Sequence, residues 1–142
     1  MSSLPVGGGG QRYAVIELLG RGGMGEVHRV IDNRNGQELA LKRLSQGSDA
    51  RRQQHMVEHF HQEFRTLAQL AHPRVVRVHD YGVDEQSPYY TMEVLEGEDL
   101  QSLSPLPWQE ACGLLRDVCS AVALLHSRRL LHRDLSPKHV KR

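Results

Sequence analysis

At 142 residues the chain is long enough for one ordinary domain with a core of its own. Hydrophobic residues make up 39% and charged residues 25%, the balance of a globular protein, and a formal charge of +1 gives no electrostatic footprint for nucleic acid or an anionic membrane. Met1 to Val6 has neither a basic start nor an apolar core, so it does not read as a signal peptide, and Ser2 departs from the myristoylation pattern. Apolar runs such as Ala121 to Leu125 are too short to span a bilayer. The expected compartment is the cytoplasm.

Gly7 to Gly10 reads as a flexible lead-in. Tyr13 to Leu19 is β-rich and runs into a glycine turn, and Glu26 to Ile31 reads as the returning strand. Asn33-Arg34-Asn35-Gly36 carries turn chemistry, because Asn and Gly tolerate positive φ. Gln37 to Leu44 makes a third strand of an antiparallel meander. Asp49 is positioned to cap the next element. From Ala50 to Ala71 the pattern is helical, with Met56, Phe60, Phe64 and Leu67 three or four residues apart, and His72-Pro73 ends it. Val75 to Tyr81 and Tyr89 to Leu95 read as two further strands. Pro107 is expected at the first position of a last helix, whose stripe is Ala111, Leu114, Leu115, Val118, Ala121, Val122 and Leu125.

Cys112 and Cys119 lie two helical turns apart, about 10 Å and beyond the roughly 7 Å Cα limit for a disulfide. They read as small buried residues in a reducing compartment.

Gly20, Gly22 and Gly25 form a Gly-x-Gly-x-x-Gly turn between strands, with Arg21, Gly23, Met24 and Val27 in the same segment. Glycines let backbone amides approach phosphate oxygens without a Cβ clash. A dinucleotide fold would need a helix directly after them, and a strand follows instead. Lys42 sits inside an apolar strand, where its charge needs a partner. Alternation puts Ala40 and Lys42 on one face and Leu39 and Leu41 on the other. Glu63, three residues from Phe60 and four from Leu67, lies on the inward side of the helix and is the expected partner. Glu58 falls opposite Phe60 and faces water.

A competing motif occupies the same helix. His55-Met56-Val57-Glu58-His59 matches a zinc-peptidase pattern, with His61 close by. All three histidines turn away from the Phe60 stripe, and the sequence supplies no third ligand or supporting shell.

The glycine turn GRGGMGEV, the strand segment Leu39-Ala40-Leu41-Lys42 and His132-Arg133-Asp134-Leu135, in that order, resemble the eukaryotic-type protein kinases. Gly-Gly-Met-Gly, Leu70-Ala71-His72-Pro73 and Tyr90-Thr91-Met92-Glu93-Val94 look most like the bacterial serine/threonine members. The resemblance runs from about Tyr13 to the end of the chain. It implies an α+β, protein kinase-like fold with an antiparallel five-stranded N-lobe sheet, one large helix and an incomplete helical C-lobe. Residues 1–12 are then a flexible N-terminal segment, 13–95 the N-lobe with its hinge, and 96–142 the start of the C-lobe, ending in the catalytic loop. The cofactors implied are ATP and Mg2+, and the partner is a protein substrate with a Ser or Thr hydroxyl.

On that resemblance Lys42 and Glu63 position phosphates, and Asp134 orients the acceptor hydroxyl and takes its proton. Ala40 lines the nucleotide site, Met92 is the gatekeeper, and Glu93 to Leu95 form the adenine-binding hinge.

The departures are specific. Ser136-Pro137-Lys138-His139 stands where Lys-Pro-x-Asn is usual, so His139 occupies a magnesium position for which imidazole is a poor match. Arg129 follows the last helix where glycine often supplies a left-handed turn. The 142 residues contain no Asp-Phe-Gly and no Ala-Pro-Glu. A complete bilobal kinase needs roughly twice this length by the usual domain-size expectation. The expectation is a truncated chain, inactive alone. The alternative is a pseudokinase-like module that binds nucleotide or docks proteins through helix 107–127 and its exposed apolar residues.

Overall fold

The computed structural model describes residues 12–22, 24–47, 49–84, 87–130 and 140–142. Five strands carry the first unit: β1 (Tyr13–Arg21), β2 (Gly25–Asp32), β3 (Gln37–Leu44), β4 (Val78–Val83) and β5 (Pro88–Met92). They form one antiparallel sheet in the order β1-β2-β3-β5-β4. Helix α1 (Ala50–Ala68) packs on the β3, β4 and β5 side.

The turn between β2 and β3 forms as its residues dictate. Gly36 takes φ 73°. Its amide and that of Asn35 donate to the Asp32 carbonyl, while the Arg34 amide donates to the Asp32 carboxylate at 3.0 Å. Asp32 also accepts from the Arg12 guanidinium, which reaches Asp80 of β4 as well. One arginine thus ties the start of β1 to the end of β2 and to β4.

Alternation along β3 divides the apolar residues between the two sheet faces. Leu39 and Leu41 join Tyr13 and Val30 on one face. Leu44 turns to the other, where Phe60 of α1 and Tyr90 of β5 complete a second cluster. Asp49 caps α1 by accepting from the Arg51 amide at 3.0 Å, and Arg65 lies in its last turn, where a cation suits the helix dipole.

The second unit gathers Ala71–Val75 and Leu95–Arg142. It contains the short α2 (Leu100–Leu103) and α3 (Trp108–Ser127). His72 lies 3.3 Å from the Ser120 hydroxyl, and Arg74 pairs with Asp117 of α3. The α3 terminus closes on a left-handed residue that is not glycine. Arg129 takes φ 59°, with its amide on the His126 carbonyl and the Leu130 amide on the Leu125 carbonyl. These two bonds satisfy carbonyls that the helix end leaves without partners.

Several sequence-based boundaries shift. β4 begins at Val78 and not at Val75, because the His72 ring nitrogen accepts from the Arg74 amide and its carbonyl from the Val75 amide, which holds this stretch in a turn. β5 ends at Met92, three residues before Leu95, and α1 ends at Ala68. Pro107 is the residue before α3, with ψ 140°, and not its first helical residue. α2 had no signal in the periodicity. Cys112 and Cys119 are free and exposed, not buried. They share a helix face with Leu115, which is itself 56% exposed, so the apolar stripe of α3 does not enclose them.

Replacing Arg129 by Gly is expected to stabilise the fold by about 0.5–1 kcal/mol, since the left-handed conformation costs a side chain roughly that much net of glycine's entropy. Urea unfolding of the two forms measures it. A second outcome concerns acid. Burial alone would raise the Asp32 carboxyl pKa, but hydrogen bonds from Arg12 and the Arg34 amide, with their charges, hold it below the ordinary range. A depressed carboxylate contributes stability above its unfolded value near 3.9 and loses that contribution as pH falls through the folded value. Asp32→Asn should therefore lower the melting temperature at pH 7 and flatten its decline below about pH 4.

Candidate functional site

Lys42 enters the site because β3 is an interior strand. The register sets it opposite Val27 of β2 on one side and Tyr90 of β5 on the other. Its ammonium donates to Glu63 Oε1 at 2.7 Å. Helical periodicity brings Glu63 there: Phe60, one turn earlier, is fully buried against Leu44 and Tyr90, which aims the same face of α1 at the sheet. Lys42 Nζ also lies 5.9 Å and 5.8 Å from the ring centres of Phe60 and Tyr90, so aromatic faces flank the cation.

The same Glu63 oxygen accepts a hydrogen bond from the Tyr90 hydroxyl. Burial, then the Glu63 charge, then this hydrogen bond push the Tyr90 phenol above its ordinary pKa, so it stays protonated as a donor. The Lys42 and Glu63 side chains remain 24% and 36% exposed. Water and solutes therefore reach the pair.

The glycine turn closes the end of the hairpin beside this pair. Gly25 stands opposite Leu44, and the Gly22 amide donates to the Gly25 carbonyl at 2.9 Å. The glycines have different reasons for being there. A Cβ on Gly25 would run into the Arg43 carbonyl oxygen of β3, so strand packing requires glycine at this position. At Gly20 and Gly22 an added Cβ would meet no atom within 4 Å, and neither backbone has the positive φ that would demand glycine. The open space beside them is what close approach of a phosphate to backbone amides requires. Arg21 pairs with Glu26 at 2.9 Å across the turn.

The other residues that the resemblance assigns to the nucleotide are dispersed. Ala40 is buried opposite Met92, the last residue of β5. Met24 and Met92 both pack on the Leu44, Phe60 and Tyr90 cluster. Glu93 is tied to the residue just before β4: its amide donates to the Arg77 carbonyl and its carboxylate accepts from the Arg77 amide, both at 2.9 Å. Leu95 is in the second unit and is 42% exposed. Gly23, Asp134 and His139 lie outside the described residues, as does the whole His132-Arg133-Asp134 segment.

His55, Glu58 and His59 are exposed on the outer face of α1, while His61 stacks on the Tyr81 ring with centres 4.7 Å apart. Among the described residues no group of three or more His, Cys, Asp or Glu side chains could hold a metal ion. No described helix is long and apolar enough to cross a membrane.

Tyr90 is the member of this constellation that the sequence reading missed. The signal was present, since Tyr90 and Met92 alternate onto one face of β5. What was lacking was the β3–β5 pairing, which joins strands distant in the chain.

Comparison with known proteins agrees with this geometry. Residues 13–140 match the protein kinase domain family, and the chain belongs to that family. It is 34% identical to the serine/threonine-protein kinase PknD of Chlamydia caviae over 92% of its own length and 15% of that protein. It is 36% identical to the serine/threonine-protein kinase pkn2 of Myxococcus xanthus over 91% of its length and 16% of that protein. The chain thus spans about a sixth of the length of these curated relatives. A structure of Rad53 residues 1–466 in complex with AMP-PNP superimposes with a TM-score of 0.75 at 26% identity, over 90% of this chain and 34% of that one. The five-stranded antiparallel sheet with its single large helix is a protein kinase-like N-lobe.

The different roles of the glycines are separable by stability alone. Gly25→Ala is expected to cost about 1–3 kcal/mol, because the Arg43 backbone must move. Gly20→Ala and Gly22→Ala should stay within about 0.5 kcal/mol of the parent in chemical unfolding, the usual range for substitutions that meet open space.

Proposed function

We propose that the first unit binds ATP with magnesium for phosphoryl transfer to a serine or threonine hydroxyl of a protein substrate. The observation that carries this reading is the 2.7 Å pair from Lys42 on β3 to Glu63 on α1, beside a glycine turn whose Gly20 and Gly22 leave open space. Phosphoryl transfer depends on positioning and charge neutralisation more than on covalent chemistry by the protein. A cation held by a helix carboxylate next to glycine backbone that no side chain obstructs supplies both.

The roles follow from placement and from the family. Lys42 positions the nucleotide phosphates and Glu63 holds Lys42. The backbone around Gly20, Arg21, Gly22, Gly23, Met24 and Gly25 covers the phosphates. Val27 and Ala40 border the base, and the segment Met92, Glu93 and Leu95 reads the adenine edge. Glu93 does this through its backbone carbonyl, because its amide and its carboxylate are both bound to the Arg77 backbone. Asp134 serves the acceptor hydroxyl. Magnesium, when bound, neutralises charge on the phosphate oxygens, and His139 occupies one family position for it. Imidazole suits that hard cation less well than an amide oxygen. Residues 13–95 are then the nucleotide lobe, 96–142 the beginning of the substrate-side lobe, and the cytoplasm the place of action.

ATP with magnesium should raise the melting temperature of the 142-residue chain, approaching about 2.7 kcal/mol of stabilisation at a hundredfold excess over the dissociation constant. Lys42→Met should remove this shift while costing at most about 1 kcal/mol of unliganded stability, the usual worth of a partly exposed ion pair. Absence of any nucleotide-dependent shift in the parent chain would sink the reading. These residues contain no Asp-Phe-Gly, so transfer of labelled γ-phosphate by them alone should stay at background. Robust transfer abolished by Asp134→Asn would overturn that second expectation.

A further inference from the structure

Tyr90 contributes a ring to the core of the first unit and a hydroxyl to the Lys42–Glu63 pair, and the two are separable. The ring is 2% exposed, with its centre 5.0 Å from that of Phe60 and 5.7 Å from that of Phe64. Burial against these two rings of α1 leaves it little freedom, so its hydroxyl is a fixed point on β5. That hydroxyl donates to the Glu63 oxygen that also receives Lys42. Glu63 is the mobile partner: a long side chain on α1, more than a third exposed. Ordering such a side chain costs conformational entropy that a second anchor offsets.

We propose that Tyr90 is a positioning residue that latches the Glu63 carboxylate, and with it α1, in the orientation that receives Lys42. The latch works in two states. In the unliganded protein the hydroxyl holds Glu63 where the Lys42 ammonium finds it, which raises the population of the ion pair. When the ammonium turns toward an anionic ligand, Glu63 keeps its bond to Tyr90, and α1 stays tied to β5. For ligand binding this rests on the nucleotide reading above; the latch on the ion pair does not.

Tyr90→Phe deletes the hydroxyl and keeps the ring contacts. The test compares the parent chain, Tyr90→Phe, Glu63→Gln and the double variant. The first measurement is the rate at which Lys42 is acylated by a water-soluble N-hydroxysuccinimide ester, followed by peptide mass spectrometry. Loss of a hydrogen bond to a charged group should loosen the pair and speed acylation by about two- to fivefold in Tyr90→Phe. In the Glu63→Gln background the same substitution should add nothing, since Tyr90 acts on Lys42 only through the carboxylate. The second measurement is the dissociation constant for ATP with magnesium, expected to rise about three- to tenfold in Tyr90→Phe and no further in the Glu63→Gln background.

An unchanged acylation rate, or equal acceleration in both backgrounds, would refute the latch, because a purely structural role does not depend on Glu63. If the parent chain binds no ATP, the nucleotide reading fails and acylation alone decides this one. If Tyr90→Phe does not fold, proton NMR of the parent decides. A slowly exchanging Tyr90 hydroxyl proton that Glu63→Ala removes supports the latch, and one that Glu63→Ala leaves unchanged rejects it.

Discussion

The carboxylate of Glu63 is where the first unit is joined. Lys42 of β3 and Tyr90 of β5 meet on one of its oxygens, and α1 supplies it. Its energetic weight is modest. An ion pair with side chains 24% and 36% exposed is worth at most about 1 kcal/mol. Burying a phenylalanine such as Phe60 contributes roughly 1.5–3 kcal/mol. The apolar cluster of Leu44, Phe60 and Tyr90 therefore attaches α1 to the sheet, and the polar contacts select its orientation. A hydrophobic contact tolerates small rotations of a helix. A lysine, a phenol and a carboxylate sharing one oxygen do not.

The two sheet faces take different tasks because β3 alternates. Leu39 and Leu41 close a core with Tyr13 and Val30 that has no part in the site, and the Arg12, Asp32 and Asp80 cluster ties its strand ends together. On the opposite face Lys42 stands between Ala40 and Leu44, both buried, so one polar side chain is presented on apolar ground. Gly25 anchors the end of the glycine turn against the Arg43 carbonyl, while the space at Gly20 and Gly22 makes no demand on protein packing. Rigidity on one side of the turn and open backbone on the other is what an anion-binding hairpin needs.

Most of this was legible in the residues. Period-two alternation separated Lys42 from Leu41, and a 3.6-residue period separated Glu63 from Glu58, because each rule depends only on local geometry. The Asn33 to Gly36 turn, the Asp49 cap and the left-handed Arg129 are local as well, and all three form. What failed needed side-chain contacts or strand pairing that neither period encodes. Val75 and Val76 have strand-like side chains, yet the His72 ring and carbonyl hold Arg74 and Val75 in a turn. Cys112 and Cys119 fall beside an apolar stripe whose outer residue, Leu115, is itself exposed, so helical period alone overstates their burial. Tyr90 could be assigned to a face of β5, but only the β3–β5 pairing brings that face beside Lys42.

The sharing of one oxygen bears on preorganisation. A ligand that must order Glu63 and Lys42 on arrival loses binding free energy to that ordering. Here the ring of Tyr90 is fixed by the core during folding, and its hydroxyl passes that order to the carboxylate and so to the ammonium. The cost of ordering falls on the folding reaction, where the cluster around Phe60 offsets it. A charged group presented in this way needs little reorganisation when negative charge arrives beside it, the condition under which electrostatic stabilisation is most effective. On the reading proposed for this chain, the hydrophobic core between α1 and the sheet is therefore part of the phosphate site, although none of its apolar side chains would touch a phosphate.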